Sequence, residues 1–352
     1  MKILALISSR LLYGGLVLVL VSSLISTLIY LGQVDPARLS FGQRADVQTV
    51  EAKRAAMGLD DPLSYQLARY LGDLSPLQRV NNSRLLSLPY QYTNVYVGNS
   101  HTWVFKKPYL RESFQSGRSV ADLIKESFPL TAILAVSAFG IALFLGLLMG
   151  ILAAVRYNQP IDRLIIALSS IGYSLPSYVV AMVVAILFAY YLQAYTGLNI
   201  QGSIFELDEM GDEIIVWKNL LLPALALGVR PLAIITQITR SSVLDVLSAP
   251  YIRTARAKGL AFSKVLKKHV FRNALNPIGT AVSGWFASLL AGAFFVETVF
   301  NFKGLGSLTV DALLNYDVPL ILGCILFTSV LFVVINLCTD LFYILVDPRQ
   351  KI

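Results

Sequence analysis

Apolar residues gather along this chain into long runs separated mostly by short polar intervals. A membrane-spanning helix needs about 20 consecutive, mostly apolar residues, and six segments meet that need: 9–31, 128–155, 163–192, 219–240, 278–300 and 319–345. The pattern predicts an all-α membrane protein with six transmembrane helices. One interval, 32–127, is long and soluble in character. Asn81-Asn82-Ser83, Pro89, Asn99 and Pro108 mark turns in it, and Tyr90–Gly98 alternates like a half-buried strand. A small extracytoplasmic domain between the first two helices is expected there. The chain then divides into a tail and first helix (1–31), the outer domain (32–127) and a five-helix core (128–352). No internal repeat or low-complexity tract is visible. The first apolar run is longer than the roughly 7–15 residues of a signal-peptide core, and no small-x-small cleavage site follows it. It is expected to be a retained helix.

Charge supplies the orientation. Only 14% of the 352 residues are charged and 56% are hydrophobic, with mean hydropathy +0.65, whereas soluble domains carry about 25% charge. Eight of the 29 Lys and Arg residues fall between Arg240 and Arg272. A short loop so rich in cations stays on the cytoplasmic side. Alternation outward from it puts both termini in the cytoplasm, with Lys2, Arg10, Arg156, Arg163, Arg349 and Lys351 on the same side. The short outer loops are poor in cations: 193–218 has only Lys218, and 301–318 only Lys303. The outer domain holds twelve Lys and Arg residues, but long loops translocate largely regardless of charge. The net charge of +8 is thus the cation excess of a membrane protein. No recognition motif accompanies it, which argues against nucleic acid as a partner.

Candidate chemistry is sparse. Cys324 and Cys338 lie fourteen residues apart in one apolar run, about 21 Å along a helix and beyond disulfide reach. His101 and His269 fall on opposite sides of the membrane, so no shared metal site is expected. No Gly-x4-Gly-Lys-Ser/Thr phosphate loop occurs, and Gly259-Leu-Ala-Phe-Ser-Lys264 does not approximate one. The chain is therefore expected not to be an enzyme, and any nucleotide hydrolysis belongs to another chain. Within the spans, the run from Ser169 through Gly172, Ser174 and Pro176 to Ser177 reads as a kinked, pore-facing helix or as a packing seam. Ser174 and Pro176 are candidate pore-lining residues, as are Arg230 and Gln237. An arginine inside a span is costly without water or a partner. Arg230 either lines a substrate path or pairs with an acid such as Asp340 or Glu297. Asn336 and Asp340 share a helix face.

The basic interruption from 241 to 277 has a shape of its own. Pro250 suits the first turn of a helix, Tyr251–Lys258 holds good helix formers, and Gly259 is placed for a left-handed C-cap. A second helix, capped by Ser263, should run from Lys264 toward Asn273. Tyr251, Ala255 and Lys258 share a face, and the small Ala255 and Gly259 would let a partner backbone come close. The competing reading is a solvated basic loop that touches anionic lipid.

Thr254-Ala-Arg-Ala-Lys-Gly259-Leu260, followed by His269-Val-Phe-Arg-Asn-Ala274, resembles the cytoplasmic loop of the permease subunits of binding-protein-dependent ABC importers. The dipeptide/oligopeptide subgroup is the closest in pattern. The broad family has a Glu where Arg253 stands and a Pro where Arg272 stands, with Pro277 five residues later; both departures are similar to that subgroup. Further resemblances run along the chain in order: Val34-Asp35-Pro36, Met57–Leu63, Ser116–Val120, Ile171–Pro176, Glu297-Thr-Val-Phe300 with Gly304-Leu-Gly306, Tyr316-Asp-Val-Pro319 and Asp347-Pro-Arg349. Residues 75–112 have no counterpart in the pattern and look like an insertion in the outer domain.

The resemblance implies a type I ABC importer permease in a bacterial inner membrane. It would work with a homologous permease, two ATP-binding subunits and an extracytoplasmic substrate-binding protein, ATP and Mg being bound by the ATPase subunits. Tyr251, Thr254, Ala255, Arg256, Ala257, Lys258, Gly259 and Leu260 would form the coupling helix that seats in the ATPase. The implied cargo is di- or oligopeptide, with nickel complexes, glutathione, opines and peptide antibiotics as alternatives within the same machinery. Two other classes stand beside this one. An ion-coupled secondary transporter needs a relay pair or inverted repeats, for which Arg230 and Asp340 are the only hints. A membrane anchor would place all binding in 32–127.

Overall fold

A computed structural model describes residues 47–57 and 60–346, with scattered helical positions between Tyr13 and Thr27. Most of the expected first span, both termini and the Val34-Asp35-Pro36 and Asp347-Pro-Arg349 matches lie outside the described residues. The chain forms two compact units, Met1–Ser127 with Leu308–Val333, and Phe128–Ser307 with Val334–Ile352.

In the first unit, helices α1 (Val47–Met57) and α2 (Leu63–Leu74) precede three strands, β1 (Leu77–Asn81), β2 (Tyr92–Val97) and β3 (His101–Lys106). The strands form an antiparallel sheet in the order β1-β3-β2. The expected strand at 90–98 is β2, and the sheet corrects the expectation of a purely α protein. Strand β3 alternates strictly: Thr102, Val104 and Lys106 are buried, while Trp103 and Phe105 face outward. Lys106 stays inside because its ammonium donates to the Asp73 carbonyl and lies 4.6 Å from the centre of the Tyr90 ring. The Asp73 carboxylate in turn accepts from the Arg111 guanidinium at 2.8 Å. Tyr70 packs with Leu322 and Leu326. Asp317, 1% exposed, accepts from the Ser113 hydroxyl and from the amides of Phe114 and Leu320. That carboxylate joins a loop to the first turn of the helix that begins at Val318.

The longer helices that follow are α3 (Val120–Val155), α4 (Pro160–Ser174), α5 (Ser177–Val184), α6 (Leu221–Ser248), α7 (Pro250–Ala257), α8 (Phe271–Phe300), α9 (Leu305–Leu314) and α10 (Val318–Val346). A short hairpin, β4 (Phe205–Leu207) with β5 (Glu213–Ile215), lies between α5 and α6. Among the described residues, Val120–Val155, Trp217–Ser248 and Val318–Asp340 are each long and apolar enough to cross a membrane.

The expected span at 163–192 is broken rather than kinked: α4 and α5 meet at 115°. Pro176 has no N–H to continue the ladder and disfavours helical dihedrals at the residue before it, so Leu175 is extended at ψ 138°. The expected helix capped by Ser263 is corrected too. Its first turn begins at Phe262 after an extended Ala261, whose carbonyl accepts from the amides of Lys264 and Val265. A π turn at Leu266–Val270 then leads into α8, which runs through Pro277.

Within the second unit, α3 and α6 pack backbone to backbone. A Cβ added at Gly146 would lie 2.8 Å from Ile235, and one at Gly150 would lie 2.5 Å from Thr239. Small residues permit such close crossings between membrane helices. Two apolar clusters fill this unit, one around Leu134, Leu222 and Phe300, the other around Ile235, Ile252 and Val265.

Candidate functional site

Helix α7 follows α6 after a single extended residue, Ala249 (φ −66°, ψ 143°), with Pro250 at its first turn. Proline at that position loses no helical hydrogen bond and forces the preceding residue out of helix, so the chain turns a corner there. Ile252 is 2% exposed and Ala255 is 9% exposed; both sit in the cluster with Val243, Val265, Val270 and Ala274. Those two residues root the helix in its own chain. Ala255 therefore turns inward, which corrects the expectation that it presents a small surface to a partner.

The exposed side consists of Tyr251, Arg253, Thr254, Arg256, Ala257, Lys258 and Gly259, with Leu260 half-buried. Gly259 adopts φ +80°. Its amide donates to the Arg256 carbonyl at 2.9 Å, and the Leu260 amide reaches the Ala255 carbonyl at 3.4 Å. These are the two bonds of a left-handed helix cap. The Arg256 guanidinium lies 6.0 Å from the centre of the Phe262 ring, and the Asn273 amide donates to the Tyr251 hydroxyl at 3.2 Å. The result is a short cationic knob, buried at its base and open above. Its geometry suits the transmission of force by packing.

Two further polar centres brace this unit, and sequence reasoning missed the role of both. Asp162, on the first turn of α4, holds the Arg240 guanidinium with two hydrogen bonds of 2.6 and 2.9 Å and also accepts from the Asn158 amide at 2.8 Å. The carboxylate is 3% exposed and the guanidinium 25%. The pair fixes the start of α4 to α6 some ten residues before α7 begins. An acid in the first turn of a span, favoured by the helix dipole, was the signal available for it.

The second centre is Glu297 on α8, which is fully buried. It accepts from the Thr131 hydroxyl at 2.7 Å and from the amides of Gly306 and Ser307 at 2.7 and 3.0 Å. Thr131 also accepts from the Leu305 amide at 2.7 Å. The amides at the start of α9 thus find their acceptors on α3 and α8. Gly304 and Gly306 leave room, since a Cβ at either would fall within 2.8 Å of the carboxylate. With its oxygens taken, Glu297 is not the partner of Arg230.

Arg230 makes no ion pair with Asp340 either. Its guanidinium lies 5.5 Å from the centre of the Tyr173 ring, and its side chain is exposed. Ser174 and Pro176, at and just past the end of α4, are exposed; Arg230 reaches that helix through Tyr173. Gln237, half-buried, lies about two turns farther along α6. Asn336 and Asp340 are half-buried on α10.

Residues 146–352 match the family model described as binding-protein-dependent transport system inner membrane component, and residues 3–135 match the corresponding N-terminal model. A Brucella abortus (strain 2308) chain, provisionally named a peptide transport system permease protein, is 34% identical over 99% of both chains. A glutathione transport system permease protein of Escherichia coli (strain K12) is 34% identical over 95% of this chain and 94% of its own. A dipeptide transport system permease protein of Bacillus subtilis (strain 168) is 36% identical over 66% of this chain and 71% of its own. Among solved structures, an inward-facing methionine ABC transporter has a similar fold, with TM-score 0.51 and 17% identity. It covers 64% of this chain and 97% of the matched one.

Proposed function

The chain belongs to the family of binding-protein-dependent transport system inner membrane components, and from that premise we propose that it imports short peptides by alternating access driven through α7. It is a pore-forming permease of an ABC importer, and such permeases work with ATPase and substrate-binding partners. The finer assembly follows the same reading: six spans in a bacterial inner membrane, both termini inside, residues 32–127 outside, one homologous permease beside it and two ATPase subunits beneath. Relatives named for peptide, dipeptide and glutathione transport support a peptide cargo.

The observation that carries this reading is the build of α7. It is rooted through Ile252 and Ala255, capped by Gly259 and cationic on its free side. Closure of the ATPases would press on Arg253–Gly259, and the helices tied to α7 would rock with it. A loop that merely touches lipid headgroups needs no buried root and no fixed cap.

Gly259 supplies the functional test. A Cβ there meets open space, but φ +80° strains any residue other than glycine or asparagine. Gly259→Trp should abolish ATP-driven uptake while the complex still assembles and hydrolyses ATP; Gly259→Asn should retain most uptake. Normal uptake by Gly259→Trp at equal expression would sink the coupling role. Gentle solubilisation of the tagged chain tests the assembly: a second permease and phosphate-loop ATPases should co-purify. Recovery of the chain alone, from a preparation that keeps a control importer intact, would favour the transporter or anchor readings.

A further inference from the structure

Arg230 precedes Arg240 by ten residues on α6, about 15 Å along the axis at 1.5 Å per residue. Arg240 stands at the inner end of that span, and the hydrocarbon core is about 30 Å thick, so Arg230 falls near its middle. A guanidinium is costly against lipid there and belongs beside water, a ligand or a partner. Among the described residues Arg230 has no hydrogen bond or ion pair; what it touches is the ring of Tyr173.

Helix α4 shows which side this is. Asp162, Ile165, Ser169 and Gly172 form its buried face. On one flank Ile161, Leu164, Leu168 and Ile171 are exposed, an aliphatic stripe suited to acyl chains. On the other flank Ser170, Tyr173 and Ser174 are exposed, and Arg230 reaches over this one. The Ser170 and Ser174 hydroxyls donate to carbonyls one turn back at 2.9 and 2.8 Å, which leaves their lone pairs outward. A flank with hydroxyls and an unpaired cation is the wrong surface for lipid and the right one for a polar path. A cation–π contact with the Tyr173 ring, 5.5 Å away, steadies the guanidinium while its N–H donors stay open. Those donors match a carboxylate in two-point geometry.

We propose that Arg230, steadied by Tyr173, is a subsite of the translocation path that takes the carboxylate of the moving substrate. The proposal rests on the peptide-importer reading, since every unmodified peptide carries a terminal carboxylate. The competing occupant is a carboxylate of the second permease subunit.

The test uses the full complex in proteoliposomes, with its ATPases and binding protein, and follows ATP-driven uptake of tri-alanine and tri-alanine amide. Wild type, Arg230→Gln and Arg230→Lys are compared as variant-to-wild-type ratios for each peptide, so that the binding protein's own preference cancels. Arg230→Gln should slow tri-alanine about tenfold, equivalent to about 1.4 kcal/mol, and the amide far less, with Arg230→Lys between. Equal slowing of both peptides overturns the subsite, and poorer recovery of the second permease would then assign Arg230 to the subunit interface. Unchanged tri-alanine uptake overturns it as well. If the binding protein refuses the amide, partial rescue by Arg230→Lys with full recovery of the second permease supports the subsite, and its absence overturns it. Wild-type complex that carries neither peptide while hydrolysing ATP would sink the peptide reading itself, before any variant is compared.

Discussion

Arg240 and Arg230 stand about three turns apart on one helix and occupy opposite environments. Arg240 is three-quarters buried, doubly bonded to Asp162 and set against the Tyr157 ring. Arg230 is exposed, rests on a single ring and, among the described residues, makes no ion pair. A cation whose donors are spent inside its own chain stabilises a geometry. One whose donors point out of the chain is available to something else. The difference separates bracing from recognition within a single element.

Stability measurements on the solubilised complex should break or sharpen that contrast. The largest effect is expected at Asp162→Ala, which leaves Arg240 without its carboxylate and the Asn158 amide without an acceptor. Removing one partner of a buried pair costs about 3–5 kcal/mol, and a quarter-exposed guanidinium places the loss toward the lower end. A clear fall in thermal unfolding temperature would show it; unchanged melting would mean the pair braces nothing. Glu297→Gln should come next. The one amide oxygen remains for the Gly306 and Ser307 amides, while the new NH2 obliges the Thr131 hydroxyl to accept instead of donate, and the loss of the charged acceptor costs about 1 kcal/mol. Wild-type melting for that variant would deny that Glu297 holds the start of α9. Arg230→Gln should be the mildest, since one exposed cation–π contact contributes about 0.5–1 kcal/mol. If it melts as early as Asp162→Ala, Arg230 is a brace after all, and the contrast fails.

Much of the fold was legible because its causes are local. The apolar runs at 128–155, 219–240 and 319–345 predict helices that the structure extends at one or both ends. Gly259 was legible as a left-handed cap because glycine takes φ +80° more readily than any residue with a side chain. Pro176 announced a bend, although its 115° angle depends on where α5 finds packing. Strands β1 and β3 were not legible, since their pairing with each other and with β2 is decided across intervening turns.

The candidate site divides in the same way. The sequence located the short helix, its cap and its cations. It placed Ala255 on the outer face, because periodicity says which residues share a face and not which neighbour that face meets. It offered Glu297 to Arg230 because both are charges inside apolar runs. The side chain that bonds Glu297, Thr131, lies 166 residues away, and the carboxylate that Arg240 uses lies 78 residues away.

By itself, then, the sequence determined the class of protein, the runs long enough to span a membrane and the points where the backbone must turn. Tertiary structure alone decided which buried charges are satisfied and which cation is left outward. The physical reason is range. Hydropathy and backbone sterics act over a few residues and can be read in order along the chain. The pairing of buried charges is settled only when distant helices pack, because burial makes an unpaired charge costly and packing determines which acceptor is near.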